Sequence, residues 1–386
     1  MHIRVGRDVL SSAFSHGQSV IEKRTTLLIL GHTLIQAKDG KVTLVSTDMD
    51  LSLSESFDCE VLEEGELCVP TLLLYDILRK IRADVPVDLS YSDQSAQVIL
   101  SAGRSRFEIP CISSDEFPRS LQDHSDFTCQ FSIPAPTLKT MFETVRFAMS
   151  TDEMRYSLVG INLSCCSKDD KVQLRAVATD RHRLACVEVA GPEGCQDMPS
   201  VIIGKKTIGE IVKLLDEAVE PVTLSLSETR IELTVKTEKS HAILGSRLID
   251  GSFPDFDAIL NIQHERKLIV GTKAFAEAVD RVGTVINDKL RMIKITLTKN
   301  LMTCAAVAGA NGAAHEDIDI DYEENDSMEF NFDVRYLLDI AQHISSDELA
   351  IWLTRPDVAV AIRPVGQEGV FFALMSMVPQ TNPTAN

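Results

Sequence analysis

The chain has 386 residues, 44% of them hydrophobic, and a formal net charge of −19. That length implies two or three domains with ordinary cores, and no apolar run approaches the roughly 18 residues of a membrane span. The start, "MHIRVGRDVL", lacks the apolar stretch and cleavage site of a secretory signal, and nine cysteines without a CxxC fit reduced thiols in the cytoplasm. No cluster has metal-ligand spacing, so neither a metal nor a cofactor is expected.

From the N-terminus, a short apolar strand leads into residues 5–21, which place Leu10, Ala13, Phe14, Gly17 and Ile21 on one helical face. Residues 41–57 then alternate apolar and polar around the pair Thr47-Asp48. A second helix is predicted over 69–81. The order then restarts. Residues 133–150 carry Leu138, Met141, Phe142, Val145 and Met149 at helical spacing, with Pro134 and Pro136 suited to a helix start. The stretch 172–190 alternates around Thr179-Asp180, and a helix is predicted over 203–215. A third round has a helix over 270–286 (Phe275, Val279, Val282, Ile286), strands over 301–322 with a Gly-Asn turn in place of Thr-Asp, and a helix over 332–344. The second helices of the three rounds align without gaps and put Asp76, Glu210 and Asp339 in one column.

Self-similarity of this kind marks a repeated unit. The expected architecture is α+β: three domains, 1–127, 128–257 and 258–386, each with two helices packed on antiparallel sheets of about eight strands.

The segment "TDRHRLA" (179–185) could belong to a catalytic site, to one edge of a binding site, or to a polar strand end. Catalysis fails on inventory. No GxSxG elbow accompanies His182, no GxxxxGK[ST] loop occurs, and the acids of "HEDIDIDYEEND" (315–326) alternate onto a solvated strand face instead of clustering. "VSTDMD" repeats the Thr-Asp pair earlier in the chain without the HRL, which points to a fold role for Thr179 and Asp180.

The net charge alone argues against a protein that grips nucleic acid. Its distribution argues otherwise, because four of the six predicted helices are net basic. If helices face one way and sheets another, one surface attracts phosphate while the rest repels it.

The triple repeat, together with "EKRTTLLILGHTLI" (22–35), "GRSRF" (103–107), "ATDRHRLA" (178–185), "DGSFPD" (250–255) and "LMSM" (374–377), resembles the bacterial DNA polymerase III β subunit, the sliding clamp. The resemblance covers nearly the whole chain. It implies a non-catalytic processivity factor: a head-to-tail homodimeric ring around double-stranded DNA, contacted without sequence preference. DNA polymerase III, clamp-loader subunits and repair proteins would dock on it through short peptide motifs. The peptide pocket it implies comprises Leu158, Thr179, Asp180, His182, Arg183, Leu184, Pro254, Ile259, Leu374, Met375 and Met377, with His182 and Arg183 at the rim. Matching DNA-binding positions are Arg24, Arg79, Lys205 and Lys206; helical spacing adds Lys139, Arg146 and Lys213. For the subunit interface, the edge segment 103–109 would pair with 313–320 of a partner. Phe107 and Ile109 would then pack on Val285 and Ile286, with Arg104 and Arg106 near Glu316 and Asp317.

The chain departs from the family at several points. Arg181 stands where Gly is common, the usual Met-Pro-Met-Arg-Leu end reads "MSMVP" with a further tail, Ala258 replaces an arginine, and Leu72 and Leu73 replace basic residues. A second reading, a monomeric acidic peptide-binding scaffold that never encircles DNA, uses the pocket alone.

Overall fold

A computed structural model describes residues 1–22, 26–92, 97–119, 127–286, 291–307 and 312–377. Arg24 and the Gly-Asn turn of the third repeat lie outside them. Seven α-helices occur among the described residues: α1 (Arg7–Val20), α2 (Thr71–Leu78), α3 (Ala135–Val145), α4 (Lys205–Asp216), α5 (Asp257–Leu260), α6 (Thr272–Gly283) and α7 (Val334–Gln342). Six match the sequence expectation. The one-turn α5 does not, because four residues carry too little periodicity to read.

Each of those six helices is fed directly by a strand: His2–Gly6, Gly65–Pro70, Cys129–Ile133, Val201–Gly204, Arg266–Gly271 and Met328–Asp333. The apolar stripes face inward as their spacing requires. Leu10 and Phe14 of α1, Leu138, Met141 and Phe142 of α3, and Phe275 and Val279 of α6 are all buried. Gly17 is required by a close approach, since a Cβ there would lie 2.6 Å from Ser46 Oγ. By sequence thirds the strands number nine, eight and eight among the described residues, close to the expected eight.

Two compact units emerge. The first comprises Met1–Phe142, Ser164–Leu174 and Ala190–Asp250. Its eight-stranded sheet joins strands from the first and second repeats, because His241–Arg247 pairs antiparallel with Leu51–Asp58, His241 opposite Ser56. A five-stranded sheet carries His2–Gly6 and ends at the edge strand Ser105–Pro110. The core beneath it gathers Ile3, Leu10, Phe14, Ile35, Leu74, Leu89, Leu100 and Ile109.

The second unit comprises Glu143–Leu163, Arg175–Val189 and Gly251–Asn386. Here Arg183–Ala190 of the second repeat pairs with Val370–Leu374 of the third, Arg183 opposite Leu374. The sheet continues through Val360–Pro364, Glu348–Leu353 and Arg266–Gly271. A separate four-stranded sheet ends at the edge strand Ala313–Asp319.

Candidate functional site: an apolar pocket beside the turn 179–183

Thr179 Oγ1 donates to the carbonyl of Arg183 at 2.7 Å and accepts from Arg181 N at 3.1 Å. Asp180 Oδ1 accepts from the amides of His182 and Arg183, each at 3.0 Å. Such Asx and Thr turns satisfy backbone groups locally. They hold Arg181 at φ +78°, a left-handed conformation that favours glycine. Thr179 and Asp180 are therefore turn builders, in keeping with the repetition of the pair in the first domain.

Arg183 is expected at the rim to meet a ligand. Within the chain its side chain is already committed. Its side chain is 10% exposed and its Nε donates to Asp180 Oδ2 at 3.0 Å. Nη1 pairs with Asp339 of α7, and Nη2 donates to the carbonyl of Phe147 at 2.8 Å. The guanidinium also lies over the rings of Tyr336 and Phe147, 4.4 and 5.1 Å from their centroids. A planar fork with all three nitrogens engaged is a fastener. Tyr336 also stacks on His182, ring centroids 6.2 Å apart. Burial, then the charge of Asp180, push the Tyr336 phenol above its ordinary pKa, so it stays neutral.

Beside this turn lies a cavity of about 210 Å³. Leu184, Pro254, Ile259, Leu374 and Met375 line it, with Thr179, His182 and Arg183 alongside. Its floor is the face of the shared sheet, where Leu184, Ala359 and Ala373 are buried. Met375 is 41% exposed at the mouth, and its amide donates to the carbonyl of His182 at 2.9 Å. Leu158 and Met377 do not line this cavity. Leu158 is buried, with its carbonyl bound to Ser150 N, and Met377 is tied to the Asn331 carbonyl at 2.7 Å.

Arg181, which the sequence marks as a departure from the family, also lines it, and Asp255, Phe256, Ala359 and Ala373 complete the lining, beyond the residues that the sequence singles out. Phe256 stands just before α5, edge-on to Phe253 and 5.6 Å beneath the Arg175 guanidinium. Arg175 is held there by Glu188 at 2.7 Å and Asp257 at 2.9 Å. An aromatic after "FP" was the available signal. The two alanines were visible only as alternating small residues on strands.

The expected phosphate contacts are mostly engaged by carboxylates of the same chain. Arg79 pairs with Asp76 at 2.9 Å, Lys213 with Glu210 at 2.8 Å and Arg146 with Glu143 at 3.8 Å. Lys139 pairs with Asp216, and Lys206 with Asp48 and, at 2.6 Å, the carbonyl of Val20. Lys205, the first residue of α4, is exposed.

At the expected subunit edge, Ile109 is 1% exposed within the core of its own unit. Strand alternation turns it inward, so it cannot pack on a partner, which corrects that expectation. Phe107 is half-buried on the same face. Arg104 is exposed and Arg106 lies 3.4 Å from Glu108. Val285 and Ile286 are half-buried. Glu316 takes the inward side with Ile318 and is bound by Arg281 at 2.6 Å, whereas Asp317 accepts from Thr303 Oγ1 at 2.6 Å.

Three family models match in order: the N-terminal, central and C-terminal domains of the DNA polymerase III beta subunit, over residues 1–122, 132–255 and 258–378. The chain belongs to the DNA polymerase III beta subunit family. The beta sliding clamp of Caulobacter vibrioides is 32% identical over 377 residues, covering 98% of this chain and 100% of that protein. That of Pseudomonas putida is 28% identical with the same coverage. Among solved structures, the sliding clamp of Bartonella birtlesii bound to griselimycin superposes with a TM-score of 0.92 at 36% identity, covering 98% of this chain and 99% of that one. The Caulobacter crescentus pol III beta structure gives 0.92 at 31% identity, with 98% and 100% covered. Members of this family are sliding clamps, accessory subunits that do not catalyse, and the α+β clamp-domain fold follows with membership. The monomeric scaffold reading is not favoured. Among the described residues no helix is long and apolar enough to cross a membrane.

Proposed function

We propose that the chain closes into a head-to-tail homodimeric ring of six domains, with units bounded near 127 and 257. The ring encircles duplex DNA in the cytoplasm and presents the 179–183 pocket to short peptide motifs of polymerase, loader and repair proteins. The sheet edges support it most directly. Within the chain, each junction between successive repeats joins the last strand of one repeat to a middle strand of the one before: His241–Arg247 to Leu51–Asp58, and Val370–Leu374 to Arg183–Ala190. By the same rule Ser105–Pro110 of the first repeat should join Ala313–Asp319 of the third. Both lie at open sheet edges in the single chain, and a second copy would close both, which is how exposed edges are protected.

Light scattering at micromolar concentration should give twice 42.6 kDa. Once loaded on a DNA circle, the protein should stay until the circle is cut. A monomer throughout that range, or equal retention on circular and cut DNA, overturns the ring.

A further inference from the structure

Cys165 and Cys195 are separated by thirty residues, yet Cys165 Sγ lies 3.2 Å from Cys195 Sγ in thiol–thiol contact. Both belong to the first unit. Cys165 sits in the strand Gly160–Lys168, half-buried and within reach of small solutes. Cys195 is fully buried in the turn after Pro192, where its amide donates to the Pro192 carbonyl at 3.2 Å and its carbonyl accepts from Met198 at 3.1 Å. Cys129 Sγ, 3.2 Å from the Gly194 carbonyl, flanks the same turn. One thiol is thus presented on a strand, and the other is held against it by a backbone-bonded turn. A disulfide needs sulfurs about 2.05 Å apart, so from 3.2 Å the two must approach by roughly 1.2 Å.

We infer that Cys165 and Cys195 are a site of reversible intramolecular disulfide formation driven by hydrogen peroxide. The Cys165 thiolate attacks one peroxide oxygen, the O–O bond breaks, and Cys165 sulfenic acid forms with release of hydroxide. The Cys195 thiol then attacks that sulfur, the S–OH bond breaks and water leaves. Two thiols and one peroxide become one disulfide and two waters, and a dithiol reductant reverses the change. Burial, then the Cys195 thiol, push the Cys165 thiol above its ordinary pKa. The pair therefore reacts slowly at neutral pH and faster as pH rises. The bond would close residues 165–195 into one loop that contains the turn 179–183, restraining the unfolded chain.

The test treats the full chain with hydrogen peroxide at pH 7 and pH 8.5 and follows mass without reductant. The expected result is loss of two hydrogens, faster at the higher pH and reversed by dithiothreitol, with fragmentation linking residues 165 and 195. The unfolding midpoint should rise by several degrees. Cys165→Ser and Cys195→Ser should each abolish the change, while Cys166→Ser and Cys129→Ser keep it. No mass loss, a bond mapped to Cys166 or Cys129, or linkage between chains overturns the assignment.

Discussion

In the turn at residues 47–51, Thr47 Oγ1 donates to the Leu51 carbonyl at 2.9 Å and accepts from Met49 N at 3.0 Å, while Asp48 Oδ1 accepts from the amides of Asp50 and Leu51. The turn at 179–183 repeats each of these bonds with Thr179 and Asp180. Even the strained position recurs, Met49 at φ +83° and Arg181 at +78°. The difference lies in the second oxygen of the aspartate. Asp48 holds the half-exposed Lys206, whereas Asp180 holds the buried Arg183, which goes on to Asp339, Phe147 and Tyr336. One backbone device thus serves twice, and the side chains added around the second copy turn a hairpin end into the wall of a pocket.

The largest test of that contrast removes the two cations in parallel. Arg183→Ala leaves two carboxylates and a carbonyl without their donor, and should cost about 2–3 kcal/mol of stability. Lys206→Ala, more exposed to water, should cost less than about 1 kcal/mol. Denaturant midpoints measure both, and equal losses would mean that the turns are equivalent after all. Next comes the pocket. Leu184→Ala with Met375→Ala should weaken a clamp-binding peptide at least tenfold, about 1.4 kcal/mol, with dimer mass unchanged. Ser52→Ala, the counterpart of Leu184 beside the first turn, should leave calorimetric affinity untouched.

The first unit also holds a titratable fastener. His16 lies buried between Glu55 at 3.0 Å and Glu217 at 3.2 Å. Burial lowers its pKa, but hydrogen bonding and attraction to Glu55, then Glu217, outweigh this and raise it above 6.5. A raised folded-state value favours the protonated folded form. Its stabilisation is complete below pH 6.5 and is lost as pH rises through the raised value. Hydrogen exchange around residues 10–20 should therefore quicken from pH 6 to pH 8, after correction for the intrinsic rate, while that around Arg183 should not. A His16→Gln variant should flatten the difference. The smallest effect concerns the strained positions. Met49→Gly and Arg181→Gly relieve the left-handed backbone but free the unfolded chain, so each should shift stability by under about 1 kcal/mol. If Arg181 faces the bound peptide, its loss alone should weaken peptides with acidic flanks.

The repeats, six helices and the apolar half of the pocket were legible because periodicity and duplication are local signals. Leu184, Ile259 and Met375 could be carried over from the family pattern. Phe256 and the two alanines could not, since their role depends on which strands meet. Arg183 came from the family pattern as a pocket residue, and its additional role as a fastener was not legible, because Asp339 lies 156 residues away. Ile109 misled because the pattern identified the edge strand correctly but not which face turns inward.

The basic residues proposed to face DNA already have acidic companions: Arg79 with Asp76, Lys139 with Asp216, Lys206 with Asp48. A passing phosphate would compete with a carboxylate for each of these three, so an ion pair formed there with DNA would be offset by one released within the protein. Along a phosphate backbone of regular spacing such exchanges nearly cancel from step to step. In the proposed ring the bore would then present a smooth free-energy track, on which the ring would diffuse with little friction while its closed topology, and not its grip, kept it in place.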